Sequence, residues 1–210
     1  MKTTFYLCIL LTLIQFKISA QKGILEYKSG EKLEVEILLP KKFFGSIVDW
    51  YGMENSIHFV DLNSNESIKG KANDISFFEF EYNGVKKKYV SLLYQYNFLN
   101  KKLGKNLFGI VIEDGFIETL QIKGKRNSWV AENGPNRSSP GSWRTTNYKF
   151  LAFRKKTGEV FFSSFKFKKS WSEFTSDCPS VSEKVSNGQY SVIKYREIVR
   201  DYNSSCGNSK

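Results

Sequence analysis

Asn83-Gly84 lies between two runs of alternating character, Phe77 to Tyr82 and Val85 to Leu93, and no other dipeptide limits the fold of this chain so tightly. Asn followed by Gly accepts the two positive φ angles of a type I′ turn, whose twist matches that of the strands it joins. A two-residue loop then sets Tyr82 opposite Val85, Glu81 opposite Lys86, Phe80 opposite Lys87, Glu79 opposite Lys88 and Phe78 opposite Tyr89. One face of that hairpin is mostly apolar and the other carries two acid-to-lysine cross-strand pairs. Lys86-Lys87-Lys88 therefore reads as a solvated sheet face.

The same logic divides the rest of residues 22–167 into short strands. Ser29-Gly30 separates Ile24–Tyr27 from Leu33–Ile37, an opening hairpin ended by Pro40. Ile57–Val60 is a shorter strand, followed by an Asn-rich turn. Asp114-Gly115 signals a hairpin between Phe108–Ile112 and Phe116–Leu120, and Thr157-Gly158 one between Lys149–Arg154 and Val160–Phe167. Phe161-Phe162 puts rings on both faces of that last strand, which requires cover on both sides or a different register. Aromatic residues make up 16% of the chain, with eighteen Phe and eleven Tyr, and suit half-buried pleated surfaces.

After Lys169 the period changes. Trp171 and Phe174 have helical spacing, and Pro179 suits the first turn of a second helix with Val181 and Val185 one turn apart and Asn187-Gly188 as its stop. Tyr195, Ile198, Val199 and Tyr202 form one apolar stripe on a last helix. The expected class is α+β, mainly β: an antiparallel, hairpin-built sheet or open barrel followed by a small helical unit.

The first twenty residues carry Lys2, an apolar run from Phe5 to Ile14, and Ser19-Ala20 before Gln21, the layout of a secretory signal peptide cleaved after Ala20. The apolar run is too short to span a bilayer. The expected division is residues 1–20 as signal peptide, 21–168 as a β-rich domain with a long loop at 127–147, 169–206 as a helical unit on or beside the sheet, and 207–210 as a disordered tail. Export places the protein in the periplasm or outside the cell. Cys8 leaves with the leader, so Cys178 and Cys206 remain as one pair in an oxidising compartment and are expected to form a disulfide.

Net charge is +11, and +9 once Lys2 and Lys17 leave. The excess is scattered lysine with only six arginines, the residue suited to bidentate phosphate recognition. It reads as a solvated lysine surface rather than a dedicated anion site, and nucleic acid is not an expected partner.

Trp171-Ser172-Glu173-Phe174-Thr175-Ser176-Asp177-Cys178-Pro179, then Glu197-Ile198-Val199 and Asp201-Tyr202-Asn203 before Cys206, resemble the end of an uncharacterised exported family of Bacteroidota-type genomes. Asn73-Asp74-Ile75-Ser76-Phe77 is similar to that family too. The resemblance implies a compartment and a β-rich body with a helical tail, and no mechanism.

Catalytic chemistry finds little support. His58 is the only histidine and has no nucleophile motif near it. Two cysteines and one histidine do not build a zinc site, and no phosphate loop or dinucleotide fingerprint is present. No cofactor or metal is expected. Glu34 with Glu36, and Glu79 with Glu81, share strand faces, but lysines opposite the second pair lower a carboxyl pKa and spoil a general acid. Asp61 to Glu66 reads as a turn rather than a calcium loop.

Two functions remain. The first is a non-enzymatic exported binding or envelope-associated protein whose partner is an envelope protein or glycan; the alternative is a carboxylate hydrolase acting on envelope or extracellular glycans. The expected contact surface is the 127–147 loop, where Trp129 and Trp143 supply flat rings and Arg126, Arg137 and Arg144 supply charge.

Overall fold

The structure, a computed structural model, describes residues 20–42, 47–98, 101–130, 142–162, 167–191 and 194–207. Leader residues 1–19, Arg137 and residues 208–210 lie outside the described residues, and Ala20, expected as the last leader residue, opens the first strand. Among the described residues twelve strands precede three helices. The strands are β1 (Ala20–Tyr27), β2 (Lys32–Leu38), β3 (Lys41–Lys42), β4 (Ile47–Val48), β5 (Ser56–Asp61), β6 (Ser67–Lys71), β7 (Ile75–Tyr82), β8 (Val85–Phe98), β9 (Lys101–Glu113), β10 (Ile117–Val130), β11 (Ser142–Lys155) and β12 (Val160–Phe162). The helices are α1 (Phe167–Phe174), α2 (Pro179–Ser186) and α3 (Tyr195–Ser205). Ten strands form one antiparallel sheet, ordered β12-β11-β10-β9-β8-β7-β1-β2-β5-β6, and β3 pairs with β4. Its edge strands are β12 and β6, so the sheet is open.

Around Asn83-Gly84 every pairing from Tyr82↔Val85 to Phe78↔Tyr89 is the one expected, with φ of 51° at Asn83 and 72° at Gly84. The ion pairs differ. Lys86 reaches diagonally to Glu79 at 2.7 Å, and Lys88 leaves the hairpin for Glu118 on β10 at 2.7 Å, because the almost fully buried Glu118 gains more from a cation than the half-buried Glu79, which Lys86 already engages. The opening hairpin and the hairpin at Gly158 also form, and Gly30 and Gly158 take φ of 91° and 95°.

At Asp114-Gly115 the register departs from a two-residue turn. Glu113 pairs with Thr119, and a bulge follows before Leu120↔Val111. Gly115 serves close approach here: a Cβ would overlap the side chain of Asn203 on α3. Asn203 accepts the Ile117 N–H at 2.7 Å and donates to the Ile117 carbonyl at 3.1 Å, pinning the helical unit to the start of β10.

Three apolar clusters hold the molecule. Leu25, Val35, Ile37, Ile57, Phe59, Phe78, Phe80, Tyr89 and Phe108 share one face, closed over by Leu39, Trp50 and Met53 from the chain after β2. On the opposite face of β8 and β9, Val90, Leu92 and Leu107 meet Leu120, Ile122 and Ala152. There Tyr94 of β8 lies 5.3 Å from Phe150 of β11 and 5.3 Å from Phe162 of β12. In a flat sheet those strands would stand about 14 and 19 Å from β8, so the sheet curls until its middle and its edge touch.

The third cluster joins α1, α2 and α3 to Ile117 and Phe153. Phe161 packs on Phe153, Trp171 and Phe174 on this side while Phe162 packs on Tyr94 and Phe150 on the other, so β12 is covered on both faces. The strand expected to run to Phe167 ends at Phe162 among the described residues, and Phe167 opens α1, because its ring is buried against Trp171 one turn on. The Cα atoms of Cys178 and Cys206 are 5.9 Å apart, at disulfide distance, tying the start of α2 to the end of α3. Gly207, expected in the disordered tail, instead closes α3 through its N–H to the Tyr202 carbonyl at 3.1 Å.

Candidate functional site

Two long hairpins dominate the middle of the sheet. β8 and β9 pair from Tyr89↔Ile110 out to Phe98↔Lys101, and β10 and β11 pair from Ile117↔Lys155 out to Val130↔Ser142. The hairpins share a ladder only at Glu113, Val111 and Ile110 of β9, opposite Thr119, Leu120 and Gln121. Beyond that rung they separate into two ribbons, and the Phe108 N–H donates to the Glu54 carbonyl at 2.7 Å instead of to β10. Since β8 and β10 run in the same direction, both ribbon ends leave the same side of the sheet. From Tyr89 to Phe98 and from Gln121 to Val130 the chain advances nine residues in each case, roughly 30 Å at strand rise.

The strands of these ribbons separate charge by height. From Val85 to Ile112 there is no carboxylate, and there is none from Thr119 to Val130 or from Ser142 to Phe153. Beyond the shared rung lie Lys101, Lys102, Lys105, Lys123, Lys125, Arg126, Arg144 and Lys149; Glu113 sits in the shared ladder itself, and Asp114 and Glu118 lie on its other side. Lys123 stands directly opposite Lys149, a like-charge pairing that costs stability. The Lys149 ammonium rests 5.2 Å over the Tyr51 ring, whose hydroxyl donates to Gln121 Oε1 at 2.7 Å. Lysines that are scattered along the sequence are thus gathered by strand pairing. The legible signal was the gap in acidic residues, not a run of basic ones.

The expected loop at 127–147 is shorter. Asn127 to Val130 and Ser142 to Asn147 are strand, because the β10–β11 ladder continues through them, leaving 131–141 outside the described residues. Trp129 and Trp143 are direct register partners near the ribbon end, Arg144 pairs with Ser128, and Arg126 pairs with Thr146. Four of the five expected contact residues therefore lie within four rungs of one another.

At the base of the ribbons Glu118, 1% exposed, accepts Lys88 Nζ at 2.7 Å on one oxygen and Arg154 Nε at 2.8 Å on the other. Burial pulls the Lys88 ammonium down, but the hydrogen bond and charge of Glu118 outweigh it and leave its pKa above the ordinary lysine value. Glu118→Ala strands two partly buried cations and is expected to cost about 2 to 3 kcal/mol in urea unfolding. Glu118→Gln should recover part of that loss; equal stability of the wild type and the Ala variant would refute the assignment.

Lys155 is similarly enclosed. Its ammonium lies 2.9 Å from Asp177 and 2.9 Å from Glu159, over the Phe174 ring, and the Tyr202 hydroxyl donates to Asp177 at 2.7 Å. A groove of about 470 Å³ runs between Glu113 and Asp114 on one wall and Arg196, Arg200 and Asn203 of α3 on the other. Arg196 already bridges it to Glu113 at 3.0 Å. In α3 the Asp201 carboxyl is held below its ordinary pKa, first by the Tyr190 hydroxyl and then by Lys184, against the opposing effect of burial.

The remaining candidates are apart. His58 is exposed on β5, opposite Leu38 and Lys69. Glu34 and Glu36 sit on β2, and Glu79 is engaged by Lys86. Asp61 accepts the Asn63 N–H at 2.9 Å and the Ser64 hydroxyl at 3.1 Å, with Asn65 at φ 58°, which is turn chemistry. Among the described residues no group of three or more His, Cys, Asp or Glu side chains could hold a metal ion, and no helix is long and apolar enough to cross a membrane. No protein-family model, no curated protein and no solved structure matches this chain.

Proposed function

We propose that the protein is an exported, non-enzymatic binding protein of the cell envelope, which meets its partner through the ends of the β8–β9 and β10–β11 ribbons. The observation that supports this most is the collection of eight cations on paired strand segments beyond the shared rung that carry no carboxylate, with Trp129 opposite Trp143 near one end. Carboxylates elsewhere are committed: buried Glu118 to Lys88 and Arg154, and the more exposed Asp177 to Lys155 and Tyr202. Export rests on the leader sequence and on the cysteine pair at disulfide distance.

Two measurements test the proposal. The intact mass of the chain recovered outside the cytoplasm should begin at Gln21; a mass retaining Met1 to Ala20 contradicts the cleavage. The mature chain should sediment with a total cell-envelope fraction, and the combined variant Arg126→Ala, Trp129→Ala, Trp143→Ala, Arg144→Ala should lose that retention without a change in unfolding midpoint. A wild-type chain that stays in the supernatant, or a variant that loses stability but keeps its binding, overturns the reading.

A further inference from the structure

We propose that the partner of the two ribbon ends is the surface of an anionic phospholipid bilayer, a reading that rests on the ribbons being the contact surface. Geometry supports a plane as the target. Both ribbons leave the same side of the sheet, and their described strands each advance nine residues past the shared rung, so two separate basic ribbons are presented in one direction.

Charge supports an anionic plane. Among the described residues of β8 to β11, the strand segments beyond the rung contain no Asp or Glu, while Asp114, Glu118 and the Glu79–Lys86 pair lie toward the opposite end. That separation directs the ribbon ends toward negative potential and the sheet base away from it. Lysine outnumbers arginine there, and a compact ammonium suits a headgroup layer better than a bidentate site.

The residues at the ends fit a bilayer interface. Phe98 is the register partner of Lys101, and Asn97 of Lys102, on one ribbon; Trp129 faces Trp143, one rung from Arg144 and Ser128, on the other. Large aromatic residues beside cations are the composition found at headgroup level, where a ring has an apolar body and a polar surrounding. No spanning segment is required, since two shallow contacts and several ionic ones on one chain add.

The test is co-sedimentation of the chain from Gln21 to Lys210 with phosphatidylglycerol-containing vesicles and with pure phosphatidylcholine vesicles. The expected result is binding to the first and not the second, with release in 1 M salt, where the screening length falls to about 3 Å. Lys101→Gln with Lys102→Gln should weaken binding roughly 30-fold, about fivefold for each cation at the surface, and Arg126→Gln with Arg144→Gln should match it from the other ribbon. Lys168→Gln with Lys169→Gln on α1 removes equal charge elsewhere and should leave binding unchanged. Equal binding to neutral vesicles, or equal loss in the α1 variant, overturns the proposal. Capture by the total envelope fraction or by an acidic polysaccharide, without vesicle binding, overturns the bilayer and leaves the envelope-binding function standing; capture by none of them removes both.

Discussion

Replacing Trp171 by Ala is expected to cost about 3 to 5 kcal/mol of folding free energy, the largest single-residue effect in the chain. The ring is fully buried and lies 4.5 Å from Phe153, 5.1 Å from Phe161, 5.9 Å from Phe174 and 6.1 Å from Phe167. It is the piece of α1 that meets both β11 and β12, so its loss opens a cavity between sheet and helices rather than at a surface. Those neighbours come from three different elements and cannot all close on the gap. The indole N–H is buried with no acceptor among the described residues, so Trp171→Phe removes an unpaired donor along with some volume and should cost less than half as much. Urea unfolding would show the Ala variant with a lower midpoint and an unchanged slope. A loss below about 1 kcal/mol would mean that the helical unit does not depend on the sheet for its stability.

Removing the Cys178–Cys206 link should cost about 3 to 4 kcal/mol, since the bridge would close 28 residues of sequence separation in the unfolded chain. Cys178 is fully buried within the cluster of Val181, Val185 and Tyr202, so Cys178→Ala with Cys206→Ala keeps the site apolar and isolates the cross-link. Thermal unfolding of that variant should match that of the reduced wild type. Two titratable thiols in the unreduced, denatured chain would reject the bond. A pH scan reports on the same unit. Because Asp201 is held below its ordinary pKa, the stability it contributes is fully present above its unfolded value and is lost as pH falls through the lower folded value.

Local chemistry decided the hairpins. Asn83-Gly84 and its flanking alternation were sufficient for the turn and for every pairing from Tyr82 to Phe78, because a two-residue loop leaves no freedom in register. Pro179, the Val181–Val185 spacing and the Tyr195–Tyr202 stripe likewise placed α2 and α3, and all their apolar positions are covered. The paired rings of Phe161 and Phe162 left two readings, a strand covered on both faces or a different register, and β12 is covered on both faces.

What the sequence could not carry is anything set by competition between distant segments. Glu79 and Lys88 stand opposite each other in register, yet Lys88 goes to Glu118, thirty residues away, because Glu118 is almost fully buried and Glu79 already has Lys86. Asp114-Gly115 has the composition of a tight turn, but Asn203 from α3 occupies the space a Cβ would need and holds the Ile117 backbone in another register. The basic character of the ribbons was invisible for the same reason: Lys101, Lys123 and Lys149 are far apart along the chain, and only the strand order β11-β10-β9-β8, with β8 and β10 running in the same direction, brings them to one side of the sheet. The sequence by itself determined turns, periods and the compartment to expect. Tertiary structure alone decided which charges meet, because charge interactions depend on distance in space while a sequence records only distance along the backbone.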